Sequence, residues 1–227
     1  VPVLAGAIDF TTNRVIDRAK RHEGLGVDGH VVTAPFYIKP SPAEVVHHFS
    51  LIAEAVSVPV MAYDIPSAVQ TKIDRASLRT LAQAGAIVGL KDSSSQEANF
   101  RGVLLDNADL PDFRVFTGSE LMVDVALSLG AHGCVPGLGN VDPVGYVRLY
   151  DAVMAGDLAT ARAEQDRLYG LFSIVSVAKR PEIGHSAAAW GSFKAALVVR
   201  GVIAQATATA PMSALTEDAL ATIASIV

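Results

Sequence analysis

Short runs of apolar and β-branched residues alternate along this chain with longer stretches whose apolar positions recur every three or four residues. The first kind has the length and composition of buried strands, the second the spacing of amphipathic helices. The runs fall at residues 1–5, 29–33, 58–63, 87–91, 113–117 and 133–135, and the helical stretches at 12–25, 42–56, 74–84, 96–107, 121–129 and 143–155. Ser41-Pro42 and Asp142-Pro143 read as helix starts, because a side-chain oxygen there can accept from the first turn and proline suits the first helical position. Strands that are nearly all apolar and separated by helices imply a parallel sheet covered on both faces. Six units of about 25–30 residues fit a (β/α) barrel or a doubly wound sheet, and spacing does not choose between them. From residue 158 the strand signal stops. Helices are expected over 158–175, 187–199 and 216–227, with a Gly-, Pro- and Ser-containing connection at 179–186.

Composition adds mainly exclusions. The 227 residues are 51% apolar and 18% charged, enough to bury a sizeable core in one domain. A net charge of −5, with no local cluster of Lys and Arg, argues against nucleic acid or an anionic membrane surface as partner. Asp124, Lys194 and Arg200 interrupt the longest apolar stretches before the roughly 18 residues a spanning helix needs. The first residues show no basic n-region or cleavage pattern, which reads as no export signal. The single Cys134 allows no internal disulfide and suits a reducing cytoplasm.

Three residues stand where chemistry collects in parallel α/β proteins, at the C-terminal ends of strands. Lys91 closes the run Ala86-Ile87-Val88-Gly89-Leu90. An amine held among apolar neighbours is disfavoured as ammonium, and its neutral form can attack a ketone; the competing reading is a lysine that only snorkels to water. Tyr63 ends the preceding strand after Val58-Pro59-Val60-Met61-Ala62, and is read either as a proton relay beside the amine or as a packed ring. Tyr37, in Thr33-Ala34-Pro35-Phe36-Tyr37, is a second relay phenol or an interface anchor. Other groups are weaker. His47 and His48 are adjacent, so on a helix they point about 100° apart and cannot chelate one metal; they read as surface residues. Gly137-Leu138-Gly139-Asn140 lacks the third glycine of a dinucleotide fingerprint and reads as a rim turn. Ser93, Ser94 and Ser95 lack a nucleophile-elbow pattern and read as helix caps.

Taken together these segments resemble the dihydrodipicolinate synthase and N-acetylneuraminate lyase superfamily. Val88-Gly89-Leu90-Lys91-Asp92-Ser93-Ser94 is similar to its Schiff-base strand, and Tyr63-Asp64-Ile65-Pro66 to its tyrosine strand, usually Tyr-Asn-x-Pro. Pro35-Phe36-Tyr37 resembles the loop whose tyrosine reaches into the neighbouring subunit's site. Phe116-Thr117-Gly118-Ser119-Glu120 and Gly130-Ala131-His132-Gly133 resemble the strand-seven loop and the approach to strand eight. The likeness runs through the whole chain in order.

The resemblance implies a (β/α)8 TIM barrel with a C-terminal helical extension. Residues 1–156 would supply the units similar to strands three to eight, and 157–227 the extension. Val1-Pro2-Val3-Leu4-Ala5-Gly6 matches the third strand, so the first two strand–helix units, with the loop that binds the 2-oxo acid carboxylate, are expected outside this sequence. The implied activity is that of a Schiff-base lyase or aldolase joining pyruvate or a related 2-oxo acid to an aldehyde. Lys91, Tyr63 and Tyr37 would be catalytic, and Val135, Gly118 and Ser93 substrate-binding. No metal or organic cofactor is implied, and the expected assembly is a homotetramer of tight dimers. Ser67-Ala68-Val69 stands where synthases of the family carry Gly-Arg-Thr, whose arginine holds the carboxylate of aspartate semialdehyde. Gly137 stands where sialic acid lyases use a polar residue. The alternatives are therefore a dihydrodipicolinate synthase proper, a dehydratase of 2-oxo-3-deoxy sugar acids, and a catalytically silent ligand-binding relative.

Overall fold

The computed structural model describes residues 1–178 and 181–227. Six strands form one sheet: β1 (Leu4–Gly6), β2 (Gly29–Thr33), β3 (Val60–Asp64), β4 (Gly89–Asp92), β5 (Arg114–Thr117) and β6 (Gly133–Cys134). Every neighbouring pair is parallel, and the strands lie in chain order. Between them run α1 (Thr12–Glu23), α2 (Pro42–Ala55), the short α3 (Pro66–Val69), α4 (Arg75–Gln83), α5 (Glu97–Asp106) and α6 (Val123–Ser128). A 3-10 turn (Gly137–Asn140) follows β6, then α7 (Pro143–Met154), α8 (Leu158–Phe172), α9 (Ile174–Val177), α10 (His185–Val199) and α11 (Glu217–Ile226). No helix among the described residues is long and apolar enough to cross a membrane.

The chain forms two compact units. The first, Val1–Ser119 with Ala126–Val135, contains the sheet. One side of its central strands is enclosed: Val32, Val60, Ala62, Leu90 and Val115 are buried. Outside them α1 packs on α2, α2 on α4 and α4 on α5, in series. The order has no reversal, which a doubly wound sheet requires, so that alternative falls away. β1 and β6 pair on one side only, and Val3, Leu4, Ile8 and Phe10 around β1 are exposed.

Strand and helix starts show how local chemistry trims the hydrophobic pattern. β3 begins at Val60 because Pro59 has no N–H for the ladder; its carbonyl still accepts from the His30 N–H at 2.8 Å. Ser41 and Glu44 close a reciprocal capping box on α2, and Asp74 caps α4 by accepting from the Ser77 N–H at 2.9 Å. The serines expected to cap α5 do not. Its N-cap is Gln96, without a side-chain bond, while the Ser94 N–H donates to Asp92 Oδ1 at 2.7 Å and Ser95 turns left-handed at φ 57°. The chain spends those serines on the turn leaving β4. His48, expected at the surface, is instead buried, and only His47 is exposed. The His48 ring donates through Nε2 to the Thr33 carbonyl at 3.2 Å and accepts at Nδ1 from the Thr12 hydroxyl at 2.9 Å, tying α2 to β2 and α1. Burial lowers its pKa to about 4.

The second unit, Glu120–Val125 with Pro136–Val227, is helical apart from its loops. α7 packs on α8, and α9, α10 and α11 meet around Ala178, Ala188 and Ala219, flanked by Val177, Ile183 and Leu215. The helix expected over 158–175 is two, broken at Ser173. Of the expected 179–186 connection, Lys179 and Arg180 lie outside the described residues, and α10 already begins at His185. Gln165, enclosed on α8, accepts through Oε1 from the Val123 N–H at 2.8 Å and donates through Nε2 to the Glu120 carbonyl at 3.1 Å. Asp142 caps α7 through the Gly145 N–H at 3.0 Å and pairs with Arg167, which also reaches Glu164 at 2.6 Å. The Gly137–Asn140 turn is anchored by Glu120, whose Oε1 accepts from the Gly137 N–H at 2.9 Å.

Candidate active site

Strand register decides which side chains meet. Tyr63 on β3 pairs with Lys91 on β4, and Asp64 with Asp92. Successive side chains on a strand point to opposite faces, so Tyr63 and Lys91 share one face and the two aspartates share the other. Thr33 on β2 and Phe116 on β5 extend the first row on either side, giving Thr33, Tyr63, Lys91 and Phe116 across four strands at their C-terminal ends. The helix-facing positions are sealed, whereas Tyr63, Lys91 and Phe116 are only half-buried. The Lys91 ammonium nitrogen stands 4.3 Å from the centroid of the Tyr63 ring, within the range of a cation–π contact. An amine and a phenol thus share an accessible face.

Behind this row lies a charged cluster. Asp64 is fully enclosed; its Oδ1 accepts from the Ile73 N–H at 3.1 Å, and its Oδ2 accepts from the Lys72 ammonium group. Lys72 also stands 3.8 Å from Asp92 Oδ2. Burial pushes the Asp64 carboxyl above its usual pKa and the neighbouring Asp92 charge adds to this, while Lys72 and the Ile73 N–H oppose them. The motifs containing Asp64 and Asp92 are visible in the sequence, but Lys72 is not singled out by any pattern. The one available signal is a carboxylate where related tyrosine strands carry an amide, which asks for a nearby cation.

The turn after β4 is pinned to both neighbouring strands. The Ser93 N–H donates to the Asp64 carbonyl at 2.9 Å, and the Gly118 N–H to the Asp92 carbonyl at 2.7 Å. Ser93 and Gly118 are in close contact: a Cβ on Gly118 would fall 1.9 Å from Ser93 Oγ. Val135 continues past β6, its N–H bonded to the Thr117 carbonyl at 2.8 Å and its side chain 44% exposed. Tyr37 is not brought to Lys91 by ring contacts within the chain. It sits at φ 73°, 90% exposed, with its ring edge-on to Phe10 at 6.2 Å. The structure therefore joins Lys91 to Tyr63 and Ser93 to Gly118, and directs Tyr37 to solvent.

Known proteins share this chain's sequence pattern and fold. The 4-hydroxy-tetrahydrodipicolinate synthase of Nitrobacter hamburgensis is 34% identical over 175 residues, covering 77% of this chain and 58% of that protein. The synthase of the same name from Methanosarcina barkeri is 35% identical over 162 residues, covering 71% and 55%. The chain thus spans little more than half the length of these curated relatives. Among solved structures, YagE, a prophage protein of the dihydrodipicolinic acid synthase family from E. coli K12 in complex with pyruvate, superposes with a TM-score of 0.90 at 27% identity, covering 100% of this chain and 74% of that one. The dihydrodipicolinate synthase DapA-2 of Bacillus anthracis gives 0.88 at 28%, covering 100% and 73%. The Dihydrodipicolinate synthetase family itself matches residues 1–227, and the chain belongs to that family.

Proposed function

We propose that the protein is a Schiff-base-forming lyase or aldolase of the pyruvate-dependent kind, with Lys91 as the amine. The observation that carries this is the register pair of Lys91 and Tyr63 on one accessible face at the strand ends. The Lys91 ammonium first gives up a proton, and the amine then adds to the ketone carbon of a 2-oxo acid, giving a carbinolamine. Tyr63 passes a proton to the departing hydroxyl, water leaves, and the imine forms. Its α-carbon then loses a proton to give an enamine that attacks an aldehyde, or the reverse cleavage releases one. Tyr37, exposed on its own chain, serves as a second relay in a neighbouring copy of a homotetramer. Ser93, Gly118 and Val135 contact the 2-oxo acid. The reaction needs no metal or organic cofactor, and the setting is cytoplasmic.

Two further strand–helix units close the sheet into an eight-stranded barrel. Residues 1–156 form part of its wall, and 157–227 the helical extension. The open edges of β1 and β6, and the greater length of the relatives, support this reading. For the second substrate, the names of the curated relatives favour aspartate semialdehyde. Ala68, exposed on α3 where the synthases carry arginine, favours another aldehyde.

Borohydride reduction of the full-length protein with pyruvate tests the central step. One reduced adduct per chain is expected on the peptide containing Lys91, and none in Lys91→Ala. An adduct that survives the substitution, or no adduct in the unsubstituted protein, overturns the mechanism.

A further inference from the structure

Asp64 and Asp92 are direct register partners on the enclosed side of β3 and β4, both almost without solvent contact. Like charges placed side by side on neighbouring strands repel, and buried carboxylates without a counter-charge are costly. The cation between them is Lys72, bonded to Asp64 and 3.8 Å from Asp92. Lys72 is itself held. Gln70 turns left-handed at φ 60° after α3, and the next residue after Lys72, the buried Ile73, donates its N–H to the same Asp64 carboxylate. The two aspartates immediately follow Tyr63 and Lys91, and their backbone carbonyls receive the Ser93 and Gly118 N–H groups.

We propose that Lys72 is a positioning residue: its charge lets the ends of β3 and β4 lie side by side, and so sets the amine–phenol geometry on the opposite face. The catalytic consequence rests on the Schiff-base reading, but the structural one does not. With Lys72 present the cluster carries two negative charges and one positive. Lys72→Met leaves two uncompensated carboxylates, which separate or take up a proton. Asp64→Asn combined with Lys72→Met restores the original net charge, and the new amide can donate toward Asp92 Oδ2, which is buried without a hydrogen-bond partner among the described residues.

Two measurements on the full-length protein test this, each normalised to folded protein. In Lys72→Met, hydrogen exchange at the Ser93 and Gly118 amides should quicken by at least about 10-fold while distant core amides change little. The rate constant for trapping the pyruvate imine should fall by about 10- to 100-fold, as expected when a reacting group is displaced. Lys72→Arg and the Asp64→Asn/Lys72→Met pair should return both readouts to within about 3-fold of the unsubstituted protein. Unchanged exchange at Ser93 and Gly118, an equal acceleration at every amide, or a pair as impaired as Lys72→Met would overturn the proposal. A protein that forms no imine at all but shows the localised exchange response would leave Lys72 its positioning role and remove the Schiff-base reading alone.

Discussion

The two units bury polar side chains in different ways. In the helical unit, Gln165, Asp142 and the half-buried Glu120 all complete backbone, each bonding N–H or C=O groups of a helix start or loop, and Asp142 adds one ion pair to the exposed Arg167. In the sheet unit, Asp64, Asp92 and Lys72 form a cluster of charges, more than backbone completion requires, behind the strand ends that carry Lys91 and Tyr63. Completing backbone groups satisfies hydrogen bonds at modest cost, whereas burying like charges side by side is costly without a counter-charge between them. The contrast singles out the ends of β3 and β4 as the place where like charges are buried side by side.

The largest effect expected from that contrast is on the exposed side of the sheet. Tyr63→Phe keeps the ring and removes the hydroxyl, so turnover should fall by roughly 10²–10⁴ while the thermal midpoint scarcely moves; full turnover would return Tyr63 to a packing role. His48 is a buried polar group of the sheet unit that joins elements. Its folded pKa of about 4 lies below its ordinary 6.5, so the unfolded chain takes up the proton first as pH falls. Its stabilising contribution is fully present above pH 6.5 and is lost toward pH 4, on the order of 3 kcal/mol. Subtracting the pH–stability curve of His48→Gln from that of the unsubstituted protein should isolate this loss, and superimposable curves would refute it.

Specificity gives the next effect. With Ala68 in place of an arginine, condensation of pyruvate with aspartate semialdehyde should be at least about 100-fold less efficient than with the enzyme's own aldehyde, about 2.7 kcal/mol of transition-state binding. A panel of aldehydes read by pyruvate consumption decides this, and aspartate semialdehyde as best partner would identify a synthase proper. The smallest effect belongs to the helical unit. Gln165→Leu should cost about 1–3 kcal/mol in denaturant unfolding, because the Val123 N–H loses its acceptor, yet leave the rate of imine trapping per folded molecule unaltered. A fall in that rate would blur the distinction between the units.

Much of this was legible in the chain itself. All six strands and the longer helices follow from hydrophobic periodicity, with ends displaced where Pro59 or a capping side chain intervenes. Lys91 and Tyr63 were legible because each closes an apolar run, and parallel pairing then placed them together. What was hidden depends on contacts through space. The depth of His48 is set by the Thr33 carbonyl and the Thr12 hydroxyl, and helix periodicity cannot register either. The four residues of α3 are too short to show a period, and they bring Lys72 back under the strand it follows. The three serines after Asp92 have cap chemistry, but the carboxylate beside them takes the Ser94 N–H into a tight turn.

The contact between Ser93 and Gly118 carries a lesson for anyone reshaping this protein by laboratory evolution. Any side chain introduced at 118 meets Ser93 Oγ at 1.9 Å and Ser93 Cβ at 3.0 Å. Trimming Ser93 to alanine removes only the first of these obstacles and glycine removes both, while the backbone carbonyl of Asp92, 3.2 Å from the same Cβ, stays in place. The two positions are therefore coupled: growth at 118 calls for the Ser93 hydroxyl to rotate away or for position 93 to shrink, so a library that varies both together samples more than one that varies 118 alone.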